Sequence, residues 1–172
     1  MRTEPNDVER RRAPRRETDS LTTRSAVRVG ADMASADEVA TAVERFGDRY
    51  LRRVYTSREI ATCTGRHGVS TERLAARFAA KESVVKALRP TGGVAFHDVE
   101  VQLDEAGAPE VVLSGRLREH AATLGVVDTS LSLTHDDGRA GAVFVAVLAA
   151  PLHDPLIPIS ELIPAPFAEE AS

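Results

Sequence analysis

Residues 70–88 constrain the fold more than any other stretch. Ser70 and Thr71 open the segment, no breaker interrupts it, and Pro90 with Gly92-Gly93 closes it. Proline cannot continue a helix and disfavours helical backbone in the residue before it, so one long helix is predicted to end near Leu88. At about 100° per residue its apolar stripe is Leu74, Phe78, Val85 and Leu88. Glu82 and Lys86 are i,i+4 partners about a quarter turn from that stripe, with Ala75 and Ala79 beside them. Small residues next to an acid and an amine are expected to leave room for a ligand. Of the 22 basic residues only Lys81 and Lys86 are lysines, both on this segment.

A long helix needs partners, and the flanking sequence supplies them. Residues 26–31 read as a short strand ending at Asp32. Ser35 and Glu38 have capping-box spacing before a helix carrying Val39, Val43 and Phe46 on one face, and Gly47 ends or interrupts it. Residues 48–55 are basic and amphipathic, Thr56 or Ser57 caps another short helix through Ile60, and 64–68 form a loop. Beyond Gly93, residues 96–103 alternate with Val99, Val101 and Leu103 on one face. Residues 105–107 turn the chain and 111–113 return it. A short helix is expected over 116–124. Residues 131–135 form an alternating strand, Asp136-Asp137-Gly138-Arg139 a hairpin turn, and 140–149 a nearly all-apolar, buried strand. Helices first and strand pairs later predict an α+β fold, an antiparallel sheet packed with one long helix and shorter helices.

That domain spans 25–150. Residues 1–24 read as a disordered, Arg-rich arm whose run Arg10 to Arg16 is suited to anionic partners, and 151–172 as a Pro-rich acidic tail. With a net charge of −4 the chain lacks the overall balance of a nucleic-acid binder. Its apolar content of 42% supports a real core, while no apolar run approaches the roughly 18 residues needed to span a bilayer. The charged start lacks the apolar stretch of a secretory signal, and the lone Cys63 excludes a disulfide framework; a cytoplasmic protein is expected.

Three features carry candidate chemistry. Asp32 ends an apolar strand after Gly30 and precedes a capped helix, a frequent ligand position and also a frequent turn position. With Glu82 it would suit Mg²⁺, an ion typically held by one or two carboxylates while phosphates and waters complete the shell. His135 follows an alternating strand at the mouth of a hairpin, where it can donate to a phosphate or simply face solvent. Ser114 and Ser132 lack the setting of a serine nucleophile, so a serine hydrolase is not expected.

Arg77-Phe78-Ala79-Ala80-Lys81-Glu82-Ser83-Val84-Val85-Lys86-Ala87-Leu88 resembles the signature of the 4′-phosphopantetheinyl transferases, an aromatic residue followed by Lys-Glu-Ala/Ser-x-x-Lys. Val29 to Met33 resembles that family's Gly-x-Asp motif, Phe96 to Val101 its Asp-Ile-Glu-Ile strand, and Leu131 to His135 its Ser-x-(Ser/Thr)-His strand. Order and spacing are similar to the short, single-domain type over roughly 26–149. The resemblance implies transfer of the 4′-phosphopantetheine arm of coenzyme A to a serine of an apo acyl carrier protein, of fatty-acid or polyketide type, with release of adenosine 3′,5′-bisphosphate. It implies Mg²⁺ on Asp32 and Glu82, with Glu82 also placed to help deprotonate the carrier serine. It implies Lys86 on the pyrophosphate, Arg77 and His135 toward the nucleotide end, Ser132 on the same cofactor strand, and Gly92 and Gly93 in a loop over the cofactor. A non-catalytic carrier- or coenzyme A-binding module of the same fold is the alternative.

The sequence departs from that family in three places. Asp37 and Glu38 stand where many relatives present basic residues to the carrier, and the basic load comes later, from Arg45 to Arg58. Val85 stands where some relatives have serine, and the glycine loop is short and includes Pro90. The resemblance also implies a homotrimer binding coenzyme A between subunits, and strand 140–149 is expected to bury an edge against a neighbour. No membrane partner is expected.

Overall fold

The computed structural model describes residues 26–149, so the arm at 1–24 and the tail at 151–172 lie outside the described residues. The chain begins with β1 (Ala26–Ser35), followed by α1 (Ala36–Phe46), α2 (Asp48–Val54) and α3 (Ser57–Cys63). A small hairpin of β2 (Thr64–Gly65) and β3 (Gly68–Val69) leads into α4 (Thr71–Leu88). A single 3-10 turn, Phe96–Asp98, opens β4 (Val99–Leu103), and β5 (Pro109–Leu113), α5 (Gly115–Thr123), β6 (Val126–Asp136) and β7 (Arg139–Leu148) complete the α+β domain. Three strands form an antiparallel sheet in the order β1-β7-β6, while β4 and β5 pair separately.

Local chemistry sets the helix starts. Ser35 Oγ accepts from Glu38 N–H at 3.4 Å, one half of the expected capping box. Thr56 and Glu59 form a complete one, and the helix they open runs past Ile60 to Cys63. Ser70 caps α4 through Arg73 N–H. Arg89, at φ 51°, ends α4 in the left-handed region. Its last turn is tied down because Leu88 O accepts from Arg28 Nη1 at 3.1 Å and lies 3.0 Å from His120 Nε2.

The packing of α4 corrects the expected apolar stripe. Leu74 and Leu88 are buried, but Phe78 and Val85 are only partly so, and Ala75, Ala79, Ala80, Val84 and Ala87 form the buried surface. The alanines leave no ligand space: they let the helix lie close against the sheet, above Phe144, Ala142 and Ala146 of β7. A face read from large apolar residues alone misses one built from small residues.

Gly30 marks the closest approach. A Cβ there would lie 1.9 Å from Ser83 O and 2.8 Å from Ala87 N, both α4 backbone atoms. Glycine is required because the helix backbone fills the space a side chain would take. The strand continues to Ser35, with Asp32 in its interior rather than at its end, paired with Ala142.

Strand β7 is central in its sheet, which corrects the expected edge at 140–149. Alternate residues of β7 pack under α4, while Val143 is 43% exposed on the opposite face. That face also carries Val27, Val29 and Met33 of β1, each more than half exposed. Leu103, expected to share the inward face of β4, is exposed as well. No helix among the described residues is long and apolar enough to cross a membrane.

Candidate active site

Strand alternation puts Gly30 and Asp32 on the α4 side of β1, so the crossing at Gly30 delivers the Asp32 carboxylate to the last turns of the helix. Lys86 Nζ lies 2.6 Å from Asp32 Oδ1 and donates to Ala31 O at 3.3 Å. Lys86 therefore pairs across elements with Asp32 rather than with Glu82 along its own helix. Among the described residues Glu82 forms no ion pair. The hydrogen bond to Asp32, and after it the charges of Asp32 and Glu82, raise the Lys86 pKa above its ordinary 10.5. Lys86 is thus cationic throughout the neutral range. A raised value contributes stability below the ordinary lysine pKa and loses it as pH climbs through the folded value, although solvent screens so exposed an ammonium.

This ion pair lies at a cleft of about 890 Å³ on the sheet side, which Asp32, Lys86, Ser132 and His135 help to line. The pairings Asp32 with Ala142 and Ala142 with Leu133 put Leu133, and two residues on His135, on the α4-facing side of the sheet. Ser132 has the opposite parity and pairs with Val143 on the outer face. The cleft wraps the sheet end and receives residues from both faces, with Met33, Thr134, Asp136 and Arg139 completing its walls. Glu82 lines a separate recess of about 190 Å³ together with Lys81, Pro90, Gly92 and Phe96.

The expected site residues thus fall into groups. Asp32, Lys86, Ser132 and His135 share the cleft, while Glu82 and Gly92 share the recess. Gly93 is the exposed neighbour of Gly92 and lines neither. Arg77 also lies apart, buried toward α3, where it donates to Arg73 O at 3.2 Å and Thr62 Oγ1 at 3.4 Å.

One functional-grade pair escaped the sequence. Glu59 and Lys81 are both fully buried and ion-paired at 2.8 Å. Burial pushes the Lys81 pKa down, and Glu59 pulls it back up. The spacing Thr56-x-x-Glu59 is legible as a cap, but nothing local shows that the same carboxylate meets a lysine on another helix.

No cluster of three metal-ligating side chains occurs among the described residues. Asp32 and Glu82 supply two hard oxygen donors, the first in contact with Lys86 and the second one helical turn before Lys86 on α4. That set fits a cation whose remaining ligands come from phosphates and water, not a site closed by protein alone.

A model of the 4′-phosphopantetheinyl transferase superfamily matches residues 28–143. The chain belongs to this superfamily. It is 44% identical over 110 residues to a holo-[acyl-carrier-protein] synthase of Roseiflexus castenholzii, covering 60% of this chain and 78% of that one. It is 41% identical over 123 residues to that of Streptomyces avermitilis, covering 71% and 98%. Among solved structures, Helicobacter pylori holo-[acyl-carrier-protein] synthase in complex with coenzyme A is similar at TM-score 0.60 and 30% identity, covering 69% of this chain and 98% of that one. The coenzyme A complex of the Chronobacterium ammoniagenes enzyme is similar at TM-score 0.63 and 29% identity, covering 70% and 96%. As a phosphopantetheinyl transferase the chain is an enzyme of group transfer, and the matched region contains every candidate site residue named above.

Proposed function

We propose that this protein transfers 4′-phosphopantetheine from coenzyme A to a serine of an apo acyl carrier protein, releasing adenosine 3′,5′-bisphosphate. The observation that carries this is the convergence of Asp32 from β1 with Lys86 from α4, one helical turn from Glu82, at a cleft wide enough for a nucleotide. Lys86 is a permanent cation for a pyrophosphate oxygen. His135 faces the same cleft as a phosphate donor, and Ser132 presents a hydroxyl from the other sheet face. Asp32 and Glu82 would hold Mg²⁺, which when bound would supply Lewis-acid stabilisation of the 5′-phosphate that leaves as part of adenosine 3′,5′-bisphosphate. Glu82 accepts the proton of the carrier serine, which then attacks the β-phosphorus bearing pantetheine. No enzyme nucleophile is needed, since positioning and electrostatics supply most of the catalysis of phosphoryl transfer.

The test is incubation with coenzyme A, a divalent ion and several apo carrier proteins, followed by carrier mass. A mass gain equal to phosphopantetheine supports the proposal. Binding without transfer at any metal concentration makes the protein a binding module instead. Lys86→Met is expected to raise the KM for coenzyme A by about tenfold or more, since a charge-assisted contact to phosphate is stronger than a neutral one. It should barely move Tm, because the ammonium is half-exposed. An unchanged KM removes Lys86 from phosphate recognition.

We further propose that the working form is a homotrimer in the cytoplasm. Val27, Val29, Met33 and Val143 form an exposed apolar sheet face, and the cleft opens onto it through Ala31, Met33 and Val143. A second copy would cover that face and close the cleft. Val27→Lys with Val29→Lys is expected to yield a monomer by light scattering, with weakened coenzyme A binding. A wild-type chain that is itself monomeric at micromolar concentration contradicts the assembly.

A further inference from the structure

We propose that Glu59 and Lys81 form a positioning clamp for the transfer site, holding the backbone of residues 96–101 against α4 beside Glu82. This role presupposes the transfer activity proposed above. The Lys81 ammonium uses all three of its protons: it meets Glu59 Oε2 at 2.8 Å, donates to Phe96 O at 3.0 Å and donates to Val99 O. Glu59 in turn accepts from Val101 N–H on Oε1 at 2.9 Å and from Thr56 N–H on Oε2 at 2.8 Å. The start of α3, the middle of α4, the 3-10 turn and β4 therefore meet at one fully buried pair.

Stability alone does not account for ions in this place. Desolvating a carboxylate and an ammonium is costly, and apolar side chains of the same volume often hold a fold equally well. What the ionic pair adds is direction, because it fixes two carbonyls and one amide at set positions. Those positions matter here: Phe96 and Val99 line the recess that Glu82 faces, and Lys81 precedes Glu82 on the helix. Residues 89–95 between α4 and the 3-10 turn contain no helix or strand, and Gly92 and Gly93 have open space around them. The near end of that segment is anchored at Leu88 O by Arg28. Its far end is anchored at Phe96 O by Lys81, with the Phe96 ring stacked on Phe78 at 5.6 Å. Without the clamp the wall over Glu82 has one firm end instead of two.

The experiment uses the full chain with Lys81→Met and Glu59→Gln together, so that no buried charge is left alone. Circular dichroism measures the folded fraction. Carrier mass gives kcat and KM per folded molecule, and amide hydrogen exchange reports on residues 92–98. The expected result is a folded variant with kcat down about tenfold or more, KM for coenzyme A within about threefold, and faster exchange at 92–98 but not in β7. A purely structural role lowers the folded fraction and leaves kcat per folded molecule intact; a kcat within about twofold of wild type overturns the clamp. Should the double variant fail to fold, Glu59→Asp alone weakens the pair by shortening the carboxylate's reach while leaving both charges in place. A kcat loss of about threefold or more at constant KM then supports the clamp, and wild-type kcat overturns it. If the wild-type protein modifies no carrier, the transfer activity fails and exchange alone decides: acceleration confined to 92–98 supports the clamp, and unchanged exchange overturns it.

Discussion

Glu82→Gln is expected to lower kcat by more than about 100-fold while leaving the fold intact. The carboxamide keeps the side chain's shape, and the carboxylate it replaces belongs to no ion pair among the described residues, so packing loses little. What disappears is a negative charge beside Lys86 and a proton acceptor one turn along the helix. The two roles separate under a divalent-ion titration. Activity restored by excess metal marks Glu82 as a ligand, whereas a rate that stays low at saturating metal marks it as the acceptor of the serine proton. A wild-type rate from a folded variant removes Glu82 from the chemistry altogether.

Gly30→Ala should be the most damaging single substitution for stability outside the buried ion pair. The added methyl carbon would stand 1.9 Å from a carbonyl oxygen of α4, and a helix backbone cannot rotate aside as a side chain can. Overpacking against side chains commonly costs about 1–3 kcal/mol, and a backbone clash belongs at or above that upper end. Against a typical domain stability of about 5–15 kcal/mol, denaturant melts should show a marked loss or no folded protein. Any folded remainder must part β1 from α4, which separates Asp32 from Lys86, so its activity should fall further than its folded fraction. An alanine variant with wild-type melting and rate would show that the crossing is looser than described.

Much of this was legible because local rules and tertiary needs agree. Ser70, Pro90 and the glycines bound α4 where the structure ends it, and the hairpin at 136–139 sits where Asp-Asp-Gly calls for one. Asp32, Lys86, Ser132 and His135 stand out from strand ends, scarce lysines and a family signature, and they share a cleft. What escaped was set by contacts distant in sequence. Alanines 75 and 79 look like spare room until β7 is seen to fill it, since a small side chain marks both a cavity and a close approach. Strand β7 reads as an edge or a centre with equal ease until its neighbours are known. The Glu82–Lys86 spacing predicts a pair along the helix, but the strand brought close by Gly30 offers Lys86 a nearer carboxylate. Glu59 looks complete as a cap, so nothing prompts a search for its other partner.

The pairing of β1 with β7 has a consequence for biosynthesis. Asp32 leaves the ribosome well ahead of the strand that holds it in register through Ala142, which is the last of the described elements to be made. Throughout translation Val27, Val29 and Met33 wait without their hydrogen-bonding neighbour, an exposed apolar ribbon open to chance pairing. Such distant contacts make for slow folding. Nascent chains halted before β7 should therefore be inert and depend on chaperones, with catalytic competence arriving all at once when β7 emerges.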